Sequence, residues 1–257
     1  MLQYLIVCPL VFLAGFVDAI AGGGGLISLP AYIIAGVPAH FSLGTNKLAS
    51  AMGTTVSTGR YLKNGYIKGK QMIRIAVFSC IASLIGSSIG SSLSLLVSEK
   101  VLEGLMIVVL PVVAYYVMRN KNLGSVAVKE PLPDRTMLIV AVLAAFFVGG
   151  YDGFYGPGTG TFLILILTGA ACMDVRKASA LTKVINLSSN VAALVTFLVN
   201  GTVFYGLGLV AGVFCIAGHY IGSGLVVHNG QKIVRPVILV VLAILFVKII
   251  ANIAAGV

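Results

Sequence analysis

The sequence predicts an all-α, polytopic helical membrane protein folded as two inverted five-segment repeats, with broken or short helices at its centre. Three observations predict this. The chain is too apolar to coat a soluble globule, it repeats itself about halfway along, and its basic residues fall on one side only if the halves are inverted.

The 257 residues are 59% hydrophobic and 9% charged, with a mean hydropathy of +1.07. A soluble domain is roughly a quarter charged, because its surface must be hydrated. Lipid must therefore solvate most of this chain, and the presence of several long apolar runs excludes a single anchor on a soluble domain. The start, Met1 to Tyr4, has no basic n-region and no small-residue cleavage site follows it, so no removable signal peptide is expected. The formal charge of +10 does not point to nucleic acid, since no basic helix interleaved with aromatics occurs. In membrane proteins Lys and Arg collect on cytoplasmic loops. Cys8, Cys80, Cys172 and Cys215 are scattered without CxxC spacing, which predicts packing and neither disulfide nor metal site. No cofactor is expected.

The duplication is read from glycines and charges. A run from Gly15 through Asp18 to Gly22, Gly23, Gly24 and Gly25 recurs as Gly149 through Asp152 to Gly156, Pro157, Gly158, Thr159 and Gly160, at an offset of 134. After a slip of two residues, Lys47 matches Lys183, Asn64-Gly65 matches Asn200-Gly201, and Ile85-Gly86-Ser87 matches Ile221-Gly222-Ser223. The halves are 1–118 and 136–257, joined by a polar linker at 119–135. Apolar segments run over 2–20, 26–37, 41–60, 71–97 and 101–118, then 136–153, 160–172, 177–199, 203–227 and 233–256. Most approach the ~20 residues that cross a bilayer as helix. Segments 26–37 and 160–172 are shorter, and read as half-helices or re-entrant pieces.

An odd number of segments per half predicts inversion, and charge agrees. The loop at 60–74 carries Arg60, Lys63, Lys68, Lys70 and Arg74, whereas its counterpart from Asn200 to Tyr205 is uncharged. Positive residues mark the cytoplasmic side, which puts 60–74 and the linker 119–135 inside and both termini outside. Apart from Lys47 and Lys183, only Lys100 and Lys248 break the pattern. Inverted repeats characterise secondary transporters, whose sites lie near the midplane between repeats.

The glycine runs are the first candidate site. Helix is disfavoured there by about 1 kcal/mol per Gly and about 3 for Pro, and unwound backbone at membrane depth is tolerated only where protein buries it or water reaches it. Helices restarting near Leu26 and Thr161 would point free N–H groups at the breaks and attract an anion. Packing glycines are the alternative. Lys47 and Lys183, with Asn46, Thr182 and Asn186 beside them, could line an anion pathway or snorkel to the interface. Asp18 and Asp152 could relay a proton, bind a coupling cation, pair with a lysine, or cap the short helix. His219 has Ser83 as its repeat equivalent and is expected to pack, and Glu103 is expected to be structural. Small-residue spacing at Gly86 and Gly90, and at Gly218 and Gly222, predicts close helix approach within or between protomers, which leaves a homo-oligomer open.

The stretches Gly15 to Gly25, Leu43 to Lys47 and Tyr151 to Gly160 resemble the TauE/SafE sulfite exporter family of bacterial membrane permeases, particularly its YfcA-like branch. The resemblance spans nearly the whole chain. It implies a multi-pass permease of the bacterial inner (plasma) membrane that exports small sulfur-containing anions such as sulfite, thiosulfate or organosulfonates. The site expected for substrate is Gly22, Gly23, Gly24, Gly25, Asn46, Lys47, Gly156, Gly158, Thr159, Gly160, Thr182, Lys183 and Asn186, with Asp18 and Asp152 available for ion coupling. A cation or metal-ion permease using the two aspartates is the competing reading, although two carboxylates without a His or Cys cluster fit a transition metal poorly. No HExxH, GxSxG or compact Ser/His/Asp grouping supports an intramembrane enzyme.

Overall fold

A computed structural model describes residues 1–102, 104 and 132–229, and among these residues there is no strand. Eight helices occur in order: α1 (Leu2–Ala21), α2 (Gly25–Ile34), α3 (Ala39–Lys63), α4 (Lys70–Leu96), α5 (Asp134–Phe154), α6 (Thr159–Gly169), α7 (Val175–Val199) and α8 (Tyr205–Asn229). Each of α3 and α5 follows a proline, Pro38 and Pro133. A proline there has a fixed φ and lacks an N–H that the helix start could not have used. Asp174 caps α7, accepting from the backbone N–H groups of Arg176 at 3.0 Å and Lys177 at 3.4 Å. Most of the expected segment 101–118, the segment 233–256, most of the linker 119–135, and Glu103 lie outside the described residues.

Among the described residues, five helices are long and apolar enough to cross a membrane: α1, α4, α5, α7 and α8. The chain is a polytopic helical membrane protein. On α4 the sorting is inverted relative to a soluble helix. Ile73, Val77, Ile81, Ile85, Ile89 and Leu93 form an exposed stripe at every fourth residue, while Ser79, Ser83, Ser87 and Ser91 are buried. Apolar residues face lipid, and small hydroxyls let neighbouring backbones approach. α3 is equally long but more polar, because Thr45, Asn46, Lys47, Thr54, Ser57 and Thr58 are buried in protein. α2 and α6 have 10 and 11 residues. At helical rise that is about 15–17 Å, roughly half of a ~30 Å hydrocarbon core, so both are half-helices.

The helices before and after the linker exchange partners reciprocally. α4 packs on α5 and α7, and α8 packs on α1 and α3. Gly86 and Gly90 lie against the carbonyls of Phe146 and Gly150 on α5, while Gly218 and Gly222 lie against those of Phe12 and Phe16 on α1. A methyl group at any of the four would overlap main chain. The small-residue spacings therefore serve contacts inside the protomer and give an oligomer no support of their own. Ser83 and Ser87 donate to the carbonyls of Ile185 and Ser189 at 3.1 and 2.7 Å, tying α4 to α7.

Candidate functional site

The two glycine breaks cross each other. α1 ends at Gly22, whose φ of 77° is the left-handed conformation that glycine adopts without strain, and whose N–H bonds the Asp18 carbonyl at 2.9 Å. The chain restarts as α2 three residues later. α5 ends at Phe154, passes through Gly156 (φ 100°) and restarts at Thr159 after Gly158 (φ 81°). Gly22 stands directly against Gly160, so that a Cβ on either would collide with the other's backbone, and a Cβ on Gly25 would come within 3.2 Å of Pro157. Thr161 Oγ1 donates to the Ala21 carbonyl at 2.9 Å and holds the crossing together.

Each break lies beside a buried ion pair that joins one half of the chain to the other. Lys47 on α3 meets Asp152 on α5, with Nζ to Oδ2 at 2.7 Å, and Lys183 on α7 meets Asp18 on α1 at 2.8 Å. The lysines are 3% and 2% exposed. Snorkelling is thereby excluded, and both aspartates pair with a lysine, one of the four readings open for them. Lys47 also donates to Asn190 Oδ1 at 3.1 Å, and Lys183 also donates to the Asp18 carbonyl. Asp152 accepts from the hydroxyls of Ser189 at 2.6 Å and Thr159 at 2.9 Å. Asp18 accepts the backbone N–H of Gly24 at 3.3 Å, so it also contributes to the start of α2.

A small cavity of about 30 Å³ lies between the pairs, with room for about two water molecules. Of the expected site residues it is lined by Gly22, Gly24, Gly25, Asn46, Lys47, Gly156, Thr159, Gly160, Asn186, Asp18 and Asp152. Gly23, Gly158, Thr182 and Lys183 do not reach it; Lys183 is held by Asp18, which does. Each ammonium carries its own carboxylate, and with both pairs ionised the four charges cancel. Asn46 Oδ1 and Asn186 Oδ1 are buried without a hydrogen-bond partner, and both residues line the cavity.

Five polar residues that sequence reasoning did not place here belong to the site: Ser28, Ser50, Ser189, Asn190 and His219. His219 is buried and bonded through Nδ1 to Ser57 Oγ at 3.0 Å, as a packing histidine would be, but its Nε2 faces Asp18 Oδ2 at 3.6 Å and its ring lines the cavity. A signal for it existed. Gly53 occupies the position equivalent to Ser189, and a Cβ there would strike the His219 ring. Among the described residues no group of three or more His, Cys, Asp or Glu side chains is placed to hold a metal ion.

The family model described as sulfite exporter TauE/SafE matches residues 7–249. The probable membrane transporter protein ORF9 of a Sinorhizobium species is 34% identical over 241 residues, which cover 94% of this chain and 90% of that protein. A probable membrane transporter protein of Haemophilus influenzae is 32% identical over 230 residues, covering 89% and 87%. The probable membrane transporter protein YfcA of Escherichia coli K12 is 33% identical over 240 residues, covering 92% and 86%. No solved structure matches the chain. Since the family match takes in both glycine breaks, both lysine–aspartate pairs and the cavity between them, the chain belongs to the sulfite exporter TauE/SafE family of membrane transporters.

Proposed function

We propose that this membrane transporter is a secondary permease that exports a small sulfur-containing anion across the bacterial inner membrane by alternating access. The observation that carries the reading is the pair of internal carboxylates at the centre. Each half-helix restarts beside an aspartate that is salt-bridged to a buried lysine from the other half of the chain. Such a centre is built to hold negative charge, and an arriving oxyanion or sulfonate can compete with an aspartate for its ammonium and helix-start N–H groups. The choice of sulfur rests on the family's description alone.

The cavity has space for about two waters, less than an oxyanion with its contacts needs. Passage therefore requires the helices to part on one side and then the other. The reciprocal packing of α4 on α5 and of α8 on α1 supports a rocking of 1–118 against 136–257 as inverted units. In that arrangement the linker 119–135 is cytoplasmic and both termini are outside. Nothing favours the cation reading, since both carboxylates are already neutralised by lysine.

The test is a thermal-shift screen of the purified protein with sulfite, thiosulfate, taurine, sulfoacetate, sulfate and simple carboxylates. One or more of the sulfur anions should stabilise it, and silence across the whole panel would overturn the reading. In liposomes, folded Lys47→Ala and Lys183→Ala should lose anion flux; unchanged flux would remove the lysines from the pathway.

A further inference from the structure

Asp152 has Lys47 and two hydroxyls within hydrogen-bond distance, whereas Asp18, bonded by Lys183 and the Gly24 N–H, also faces an imidazole that does not bond it. The ring's tautomer follows from its other nitrogen. Ser57 has a single hydroxyl proton and lies 3.1 Å from the Thr54 carbonyl, which can only accept. With that proton donated to Thr54, Ser57 Oγ is the acceptor for His219 Nδ1–H at 3.0 Å. The lone pair of Nε2 then points at the Asp18 carboxylate, 3.6 Å away, in a cavity that water can enter. Two acceptors facing each other without a hydrogen between them make a vacant proton site.

We infer that His219 and Asp18 together bind the proton that couples transport, taking it up at Nε2 and sharing it with Asp18 Oδ2. This rests on the anion-permease reading above, not on its direction, and adds the coupling ion to it. The step balances simply. A hydronium ion gives up its proton, so that one O–H bond breaks and water is released as an N–H bond forms at Nε2, and the resulting imidazolium becomes the counter-ion of Asp18. Lys183 is then free to meet an anion. When the proton leaves, Asp18 reclaims Lys183 and the anion is expelled. Charge demands such a partner: with both pairs ionised the site is neutral, so an anion entering alone would leave a net negative charge in the membrane interior, which is costly.

The groups facing this site from each packed element are accounted for. Asp18 comes from α1, Lys183 from α7 and Cys215 from α8, with Lys47 of α3 and Asp152 of α5 across the cavity. Tyr61 on α3 donates to the Ala19 carbonyl beside Asp18. Arg60 on α3 is engaged elsewhere, by the Tyr220 carbonyl and Ser223. Of these, only His219 presents an empty acceptor to a carboxylate.

The test uses the full chain in proteoliposomes containing a pH-sensitive dye, with thiosulfate, sulfoacetate and sulfate, none of which titrates near neutral pH. Anion movement should carry protons in the same direction, and an imposed pH gradient should drive anion accumulation. His219→Gln should lose the gradient-driven accumulation, and the anion should stabilise it less than wild type, because Asp18 then keeps Lys183. Anion flux without proton movement, or full coupling in His219→Gln, would overturn the coupling and leave the permease reading standing. Absence of both flux and anion stabilisation would fell the permease reading and the coupling with it. Because the chain has three histidines, histidine-selective nitrogen labelling gives a readout independent of substrate, with His219→Gln assigning the signal. At pH 8, wild-type His219 should be neutral with its proton on Nδ1; a proton on Nε2 there would refute the proposal.

Discussion

The two lysine–aspartate pairs match in sequence and nearly match in bond length, yet their surroundings differ. Asp152 receives hydroxyl protons from Thr159 and Ser189. At the equivalent positions around Asp18 the chain has Gly25 and Gly53, and the space left by Gly53 is filled by the His219 ring. The side-chain exposures follow: 8% for Asp152 and 18% for Asp18. Both aspartates anchor a lysine across the centre, but only one is fully satisfied. A carboxylate that accepts several hydrogen bonds is held in place, which suits a fixed post. The under-satisfied carboxylate, next to a titratable ring, suits a moving part.

The largest effect should come from breaking the saturated pair. Asp152→Ala leaves Lys47 buried without its carboxylate, although the hydroxyls of Thr159 and Ser189 keep the carbonyls of Gly156 and Asn186, and removing one partner of a buried pair costs about 3–5 kcal/mol. Asp18→Ala should cost less, about 1–3 kcal/mol, because no hydroxyl bond is lost with it and Lys183 keeps the main-chain carbonyl of residue 18. Melting of each variant in detergent, followed by the fraction that stays monodisperse, reads the difference. Equal losses would mean that the surroundings do not distinguish the pairs.

Next in size is Ser189→Ala, which deletes the 2.6 Å hydroxyl bond to Asp152. Hydrogen bonds to charged groups contribute about 1.5–3 kcal/mol, so the melting temperature should fall by a corresponding fraction of the Asp152→Ala loss. The reverse experiment remakes the second pair in the image of the first. Gly53→Ser alone would drive its Cβ into the His219 ring and the Cys215 sulfur, so the design combines Gly53→Ser with His219→Ser and Cys215→Ala, which removes both obstacles. If the new hydroxyl reaches Asp18, it should raise stability by about 1–2 kcal/mol and slow transport. Faster transport from the better-bonded pair would contradict the division into post and moving part.

Much of this was legible before any coordinates. Apolar composition gave the membrane, and the breaks, the aspartates and the lysines stood out because Gly and charge are rare and costly at such depth. The exchange of partners was not legible. Lys47 could equally have met Asp18 by sequence, and only the reciprocal packing of α8 on α1 and α4 on α5 decides. Ser189 was invisible because a serine in a membrane helix ordinarily bonds its own backbone, as Ser189 also does to the Asn186 carbonyl. His219 was set aside because symmetry gave it Ser83 as a counterpart. That filter finds the shared framework and discards departures from it, and here the departures, Gly53 for Ser189 and His219 for Ser83, carry the asymmetry.

The smallest effect, and the control for the others, lies at the surface. Glu99 accepts from the backbone N–H groups of Ala39 and His40 at 2.7 and 3.4 Å and meets His40 Nδ1 at 2.8 Å, capping the start of α3. Partial burial alone would raise its carboxyl, but these donors outweigh burial and hold it below the ordinary range. A carboxyl depressed in the folded state stabilises fully above its unfolded value, about 4.3, and loses that contribution as pH falls through its folded value. Glu99→Gln should therefore lower the melting temperature slightly at pH 7, by less than about 1 kcal/mol for a side chain this exposed. The gap to wild type should close in acid and shrink in 1 M salt, which screens exposed charges. The deficit of Asp152→Ala should resist salt, because no solvent stands between Lys47 and its partner. A salt-sensitive Asp152→Ala deficit would place that pair in water, and the distinction between the two centres would not survive it.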